Sequence, residues 1–231
     1  MKLFLFAGVV LIGLGASSAL GADDGVVEIF NGRDLVGWAG GVTNGTYAVD
    51  SDGTLKCIGR LGWKWRQPRN IWTTREYTNF IFRFECRLTA QANHGIGIRC
   101  PEGDYITSRG MEIQILEDES TQHFQVKRKL APYNLNASIY GVVAARRQSY
   151  ERGFLKPLGE WNEYEIRADG PKVTVKVNGE TVVETDLSKL SATGGTPDGK
   201  PHPGIRRIGG HLTLCWHNDD VWFRNLRIKE L

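Results

Sequence analysis

The sequence predicts an all-β protein, an antiparallel β-sandwich, and three observations carry that prediction. Most apolar stretches alternate with polar residues at a period of two, the pattern of a strand with one face in a core. Turn signals recur between those stretches, among them 28 glycines and the dipeptides Asp169-Gly170 and Asn178-Gly179. No long segment sustains the period of a helix.

In chain order, "NFIFRFECRL" alternates Phe80, Phe82, Phe84 and Cys86 against Ile81, Arg83, Glu85 and Arg87. "HGIGIRC" sets Ile96 and Ile98 on one face and Gly95, Gly97 and Arg99 on the other. "GMEIQILED" sets Met111, Ile113 and Ile115 against Glu112 and Gln114. "WNEYEIRADGP" is a strand that turns at Asp169-Gly170, and "KVTVKVNGETVVETD" is a hairpin whose Asn178-Gly179 turn favours positive φ. "HLTLCWHNDDVWFRNLRIKEL" gives two strands joined through Asn218-Asp219-Asp220. Leu190 to Gly210, rich in Gly and Pro and without periodicity, reads as a surface loop. No repeat or linker divides residues 22–231, which are expected to form one domain.

The N-terminal "MKLFLFAGVVLIGLGASSALGADD" combines one Lys, a short apolar run and small residues at Ala19 and Gly21. It reads as a secretory signal peptide over residues 1–21, because the run is shorter than the roughly 20 residues of a membrane span. A secreted or periplasmic protein is expected, with no stable span after signal removal. The net charge is only +3 and the basic residues are scattered, which excludes the basic stripe of a nucleic-acid binder. Cys57, Cys86, Cys100 and Cys215 permit up to two disulfides in an exported chain and lack the close spacing of a zinc site. Cys86 and Cys100 follow the inward phase of their strands and would meet if those strands were neighbours; burial of free thiols is the alternative. The oligomeric state is not legible.

Several ordered stretches resemble the 3-keto-disaccharide hydrolase domain family, which has a concanavalin A-like jelly-roll sandwich. "IFNGRDLVGW" is similar to its opening motif, and "NHGIGIR" to its Asn-Ser-Gly-Ile-x-x-Arg, with His94 in the Ser position. "GMEIQILED" is similar to its Gly-Tyr-Glu-x-Gln-Ile-x-Asp, with Met111 for Tyr and Glu117 for the acid. "ASIYG", "LKPLGEWNEYEI", "VKVNGE" and "HNDDVWFRNLRIKEL" follow in the family's order, so the resemblance runs from Val27 to Leu231. It implies an extracytoplasmic carbohydrate-active role, in some members cleavage of glycosides whose C3 hydroxyl has been oxidised to a ketone. Cys215 and Trp216 depart from the family before His217. Trp38 and Trp161 fall in framework motifs and read as core.

The pleat places Glu112 and Gln114 on one outer face with Asn93, Gly95, Gly97 and Arg99, if Ile96 and Ile98 point inward. Glycines there leave room for a sugar ring, or mark close strand contacts. A 3-keto-glycoside is cleaved by removing its acidified C2 hydrogen, expelling the C1 oxygen and adding water back, which requires a base and a polariser but no cofactor. Glu112 is the candidate base, and Arg99 or His217 the group that stabilises the enolate oxygen. Tyr140 or His217 would assist the leaving group, while Asn93 and Gln114 hold sugar hydroxyls. Trp63 and Trp65 lie among basic residues in "RLGWKWRQPRN" and would offer a sugar-stacking rim, or pin their own loop. The competing reading of Glu112 and Arg99 is a cross-strand ion pair contributing less than about 1 kcal/mol.

"EIQILE" also resembles the Glu-x-Asp-x-x-Glu strand of family-16 glycoside hydrolases, which implies Glu112 and Glu117 as a retaining pair. Such a pair needs carboxyls roughly 5–5.5 Å apart, whereas an i to i+5 spacing puts them on opposite faces of a regular strand. Gln114 also stands where that motif has an acid, so Glu117 is left as a helper. The remaining alternatives are a retaining β-glucanase and a non-catalytic carbohydrate-binding module. A calcium site at Asn218-Asp219-Asp220 is the alternative to a plain turn, and no other metal site is expected.

Overall fold

A computed structural model describes residues 25–59, 69–103, 106–118, 130–192 and 194–231. Residues 1–21, expected to be a signal peptide, and Trp63 and Trp65 lie outside the described residues. The strands are β1 (Val26–Glu28), β2 (Trp38–Gly40), β3 (Tyr47–Val49), β4 (Leu55–Cys57), β5 (Ile71–Thr73), β6 (Phe80–Leu88) and β7 (Asn93–Cys100). They continue with β8 (Met111–Leu116), β9 (Asn162–Asp169), β10 (Lys172–Val177), β11 (Glu180–Asp186), β12 (His211–Cys215) and β13 (Val221–Glu230). Two short helices, α1 (Ile106–Arg109) and α2 (Arg147–Glu151), lie between strands.

All the pairings are antiparallel. The first sheet runs β11-β10-β9-β6-β13-β4-β3, with β1 also on β13, and the second runs β2-β5-β12-β7-β8. The sandwich predicted from the alternation is therefore present. In β6, Phe80, Phe82, Phe84, Cys86 and Leu88 are buried while the intervening residues are half-exposed. Tyr164 stacks on Phe84, their ring centroids 5.0 Å apart, and Val173, Val175 and Val177 extend the same core. Asn178 and Gly179 have φ of 49° and 84°, the positive pair that a two-residue hairpin turn requires. In β13 a register shift between Arg224 and Arg227, with Asn225 at φ 55°, lets Phe223 and Leu226 both reach the core across an odd spacing.

Three expectations change. Trp38 is core, its indole donating to Ile29 O at 2.8 Å, but Trp161 is half-exposed. Asn162 takes the inward phase of β9, so Trp161 falls outside, stacked on the guanidinium groups of Arg87 and Arg224 at 4.9 and 4.2 Å. Cys86 and Cys100 sit in different sheets and do not meet, and all four cysteines are buried free thiols, the alternative reading. The 190–210 segment is also pinned down: a Cβ on Gly204 would lie 2.0 Å from Gly110 O, so the two backbones touch.

His94 of β7 points inward and is fully buried. Its Nδ1 accepts from Gly95 N–H at 2.9 Å, and Nε2 lies 3.3 Å from the Tyr47 hydroxyl, which donates to Leu214 O. That leaves a neutral imidazole with Nε2–H donating to Tyr47. Burial first, and the neighbouring His217 charge second, push its pKa down to about 3 from 6.5. The folded value lies below the unfolded one, so the unfolded chain binds the proton first on acidification. This stability is therefore complete above pH 6.5 and lost as pH falls toward 3, at about 1.4 kcal/mol per pH unit. Melting curves should show the melting temperature falling steadily below pH 6.5, and His94→Gln should flatten that slope. Parallel slopes for the two proteins would show that His94 is not the acid-sensitive group.

Candidate active site

The register of β7 on β8 sets Gly97 opposite Glu112 and Gly95 opposite Gln114. Gly95 leaves a trough on the outer face, but a sugar ring does not fill it: the Glu112 side chain lies in it, while the space beside Gly97 is taken by Cys100, Thr213 and Ile106. A Cβ on Gly95 would sit 2.0 Å from Glu112 Oε1 and 2.7 Å from its Cδ and Cγ. Glu112 is 5% exposed, and its Oε1 has no hydrogen-bond partner. A carboxylate removed from water without a donor carries an unmet demand for a proton or a cation. His217 Nε2 lies 3.6 Å from Oε1, too long for a hydrogen bond but close enough for charge–charge attraction when the imidazole is protonated. His217 is half-exposed, placed just beyond β12 by the turn that Asn218 enters at φ 69°.

Beside this pair, Gln114 Nε2 donates to Asn93 Oδ1 at 2.7 Å, and Asn93 N–H donates to Asp219 Oδ2 at 3.1 Å. The Gln114 and Asn93 amides are thus fixed next to the carboxylate, Asn93 half-exposed at the rim. On β12, Thr213 pairs with Gly97 and Cys215 with Gly95, so both side chains join the same face. Thr213 Oγ1 is a second buried polar atom without a partner. The Cys215 thiol is pushed well up by burial and then by the Glu112 charge. The sequence marks Cys215 as a departure beside His217 but gives no sign of Thr213, because a Thr at an alternating position looks the same in either phase of a strand.

Residues 137–140 run along the open edge of β8. Gln114 N–H donates to Ser138 O, Ala137 N–H to Gln114 O and Tyr140 N–H to Glu112 O, at 2.8–2.9 Å. Ile113 bridges Ile139 on the inner side, so Tyr140 stands on the outer side beside Glu112. Glu112 and Gln114 thus share a face with Asn93, as the strand pleat predicts, and the turns carrying His217 and Tyr140 lie against it.

Arg99 is not with them. A register shift between His211 and Thr213 faces it, and its own φ is 53°, so this bulge turns the side chain off the outer face. The guanidinium is 2% exposed and donates to Arg207 O at 3.1 Å and to Gly170 O, while Arg207 Nε donates back to Arg99 O at 2.8 Å. Arg99 thus ties the second sheet to the β9–β10 turn.

Glu117 also leaves the site. Its Oε2 accepts from Gln91 N–H at 2.8 Å, and it lines a cleft of about 350 Å³ with Leu88, Leu155 and Asn162. Five strand residues separate Glu112 and Glu117 by about 16 Å at the Cα atoms, more than two glutamate side chains can close to a retaining distance. At the expected calcium alternative the side chains serve the backbone separately. Asp219 holds Asn93 N–H, whereas Asp220 Oδ1 accepts from Gly59 N–H at 2.6 Å and its Oδ2 meets Lys56 Nζ at 3.3 Å.

The sequence profile of a family described as the 3-keto-alpha-glucoside-1,2-lyase-like domain matches residues 25–229. A 3-keto-disaccharide hydrolase of Bacteroides thetaiotaomicron is 28% identical over 243 aligned positions, covering 90% of this chain and 79% of that protein. A candidate glycosyl hydrolase of Parabacteroides distasonis of known structure is 27% identical with a TM-score of 0.71, covering 89% of this chain and 99% of that one. A second protein from that organism superposes with a TM-score of 0.72 at 23% identity over 90% and 94% of the two chains, a likeness of fold.

Proposed function

The chain belongs to the 3-keto-alpha-glucoside-1,2-lyase-like domain family, and from that premise we propose that it cleaves the glycosidic bond of 3-keto-glycosides by elimination and hydration. The observation that carries this reading is the buried, unpartnered Oε1 of Glu112 facing His217. The relative from Bacteroides thetaiotaomicron, named for hydrolysis of 3-keto-disaccharides, supports the substrate class.

In this mechanism the Glu112 carboxylate takes the C2 proton, and the C2–H electron pair forms an enolate with the C3 oxygen. His217, 3.6 Å from that carboxylate, stabilises the oxygen as a hydrogen-bonding or cationic group. The enolate then collapses, C1–O breaks, and an enone conjugated across C1, C2 and C3 remains. Tyr140 donates the proton that the departing oxygen needs. Water adds to C1 and gives up a proton that restores the Tyr140 hydroxyl, while Glu112 returns its proton to C2, regenerating the carboxylate. Gln114 and Asn93 hold sugar hydroxyls and set C2 against Oε1. No second carboxylate takes part, in keeping with the distance of Glu117. The N-terminal residues 1–21 support a secreted or periplasmic site of action.

The test is product analysis by mass spectrometry on a glycoside panel offered in native and 3-keto forms. Release of the aglycone sugar from the 3-keto forms alone is expected. Saturable binding without product would replace this reading with a carbohydrate-binding module. Cleavage of the unoxidised forms would favour an ordinary glycosidase instead.

A further inference from the structure

A second pair of titratable side chains is buried close to this face, on the segment that the sequence presented as an ordinary loop. His202 Nε2 lies 3.0 Å from Asp198 Oδ1, with the two side chains 6% and 8% exposed. Asp198 is further satisfied by Lys200 N–H at 3.0 Å and the Thr196 hydroxyl at 3.1 Å, and His202 N–H donates to Ala192 O at 2.9 Å. Burial alone would raise the Asp198 pKa, but the Lys200 N–H and His202 outweigh it and the pKa is lowered. The carboxylate is therefore held ionised and oriented.

The pair sits against Gly141, the residue after Tyr140. A Cβ there would lie 2.5 Å from Asp198 Oδ2 and 2.9 Å from His202 Cε1, and Asp198 N–H donates to Gly141 O at 3.4 Å. Gly141 has a φ of 74°, a conformation that glycine adopts without strain. On its other side, Tyr140 N–H is bonded to Glu112 O. The Tyr140–Gly141 turn is thus gripped between the strand that carries Glu112 and the Asp198–His202 pair. The same segment touches the start of β8 through Gly204 on Gly110.

We propose that Asp198 and His202 are positioning residues, which fix the Tyr140 side chain over the substrate face by locking the Gly141 turn. The kinetic part of this proposal rests on the elimination mechanism; the structural part does not. Without the pair the turn would keep its bonds from Tyr140 N–H to Glu112 O and from Gly141 N–H to Tyr133 O but lose the packing on its far side, and Tyr140 would be held less firmly for proton donation.

The test combines amide hydrogen exchange with kinetics on Asp198→Asn, His202→Ala and His202→Gln. Exchange of residues 137–143 is expected to rise by about 10-fold or more in Asp198→Asn and His202→Ala, with residues 164–169 of the first sheet unchanged. On a 3-keto-disaccharide, kcat should fall by about 10-fold with KM little changed, and His202→Gln, which keeps a donor at similar reach, should recover most of both losses. The proposal is overturned if residues 137–143 exchange as in the wild type, if they rise only together with 164–169, or if His202→Gln is no better than His202→Ala. Wild-type protein that leaves 3-keto-disaccharides intact would overturn the elimination mechanism, whereas the exchange data would still decide whether the pair holds the turn.

Discussion

Glu112→Gln is expected to lower turnover of a 3-keto-disaccharide by about 10³-fold or more, within the range a general base contributes. The substitution preserves shape but removes the ability to accept the C2 proton. It should leave the fold intact, because Oε1 accepts no hydrogen bond that the amide would lose. The ionic contact with His217 at 3.6 Å is given up, and relief from burying a charge offsets it. Steady-state kinetics beside a thermal melt would check both halves. A variant that kept near-normal rate with an unchanged melt would remove Glu112 from the role of base.

Gly95→Ala should also damage catalysis, by a smaller factor, while sparing stability. Its new methyl would sit 2.0 Å from Glu112 Oε1, and one of the two must move. The mobile end of the glutamate gives way more easily than two hydrogen-bonded strands, so the carboxylate swings off its trough. Gly95 is absent from the positive-φ positions, so alanine fits the backbone and even favours the strand by roughly 0.5–1 kcal/mol. A fall in kcat/KM of about 10²-fold is expected, the size of effect that a misplaced catalytic group produces. In the double variant with Glu112→Gln the Gly95 change should cost almost nothing further, since both act through one carboxylate. Full additivity of the two losses would show that Gly95 matters for another reason.

Much of this is legible in the amino-acid sequence. The strands announced themselves because a half-buried sheet forces a period of two, and Asn178-Gly179 because few other pairs tolerate two positive φ angles in succession. The grouping of Glu112, Gln114 and Asn93 follows from the pleat alone, as does the separation of Glu117. Arg99 was misplaced because parity counting assumes a regular strand, and nothing in "GIGIRCP" marks an arginine that adopts a left-handed conformation at a bulge. Trp161 was misjudged because a large aromatic at a strand's start can take either phase, and two arginines stabilise it outside. The docking of Asp198 and His202 on Gly141 could not be read, since an aperiodic segment carries no signal of what it packs against.

The strand order has a consequence for how the molecule is made. β12 lies between β5 and β7 in one sheet, and β13 between β6 and β4 in the other, so residues 211–230 occupy the interior of both. A nascent chain that stops before residue 211 cannot complete either sheet, whatever local hairpins it forms. Closure waits for pairings such as Arg224 with Glu85, 139 residues apart in the chain, and contacts of that span make folding slow. During synthesis neither sheet of the sandwich is therefore complete until its final strands emerge. His217, in the turn between those strands, reaches Glu112 only at that last step, so the proposed chemistry is withheld from every incomplete chain.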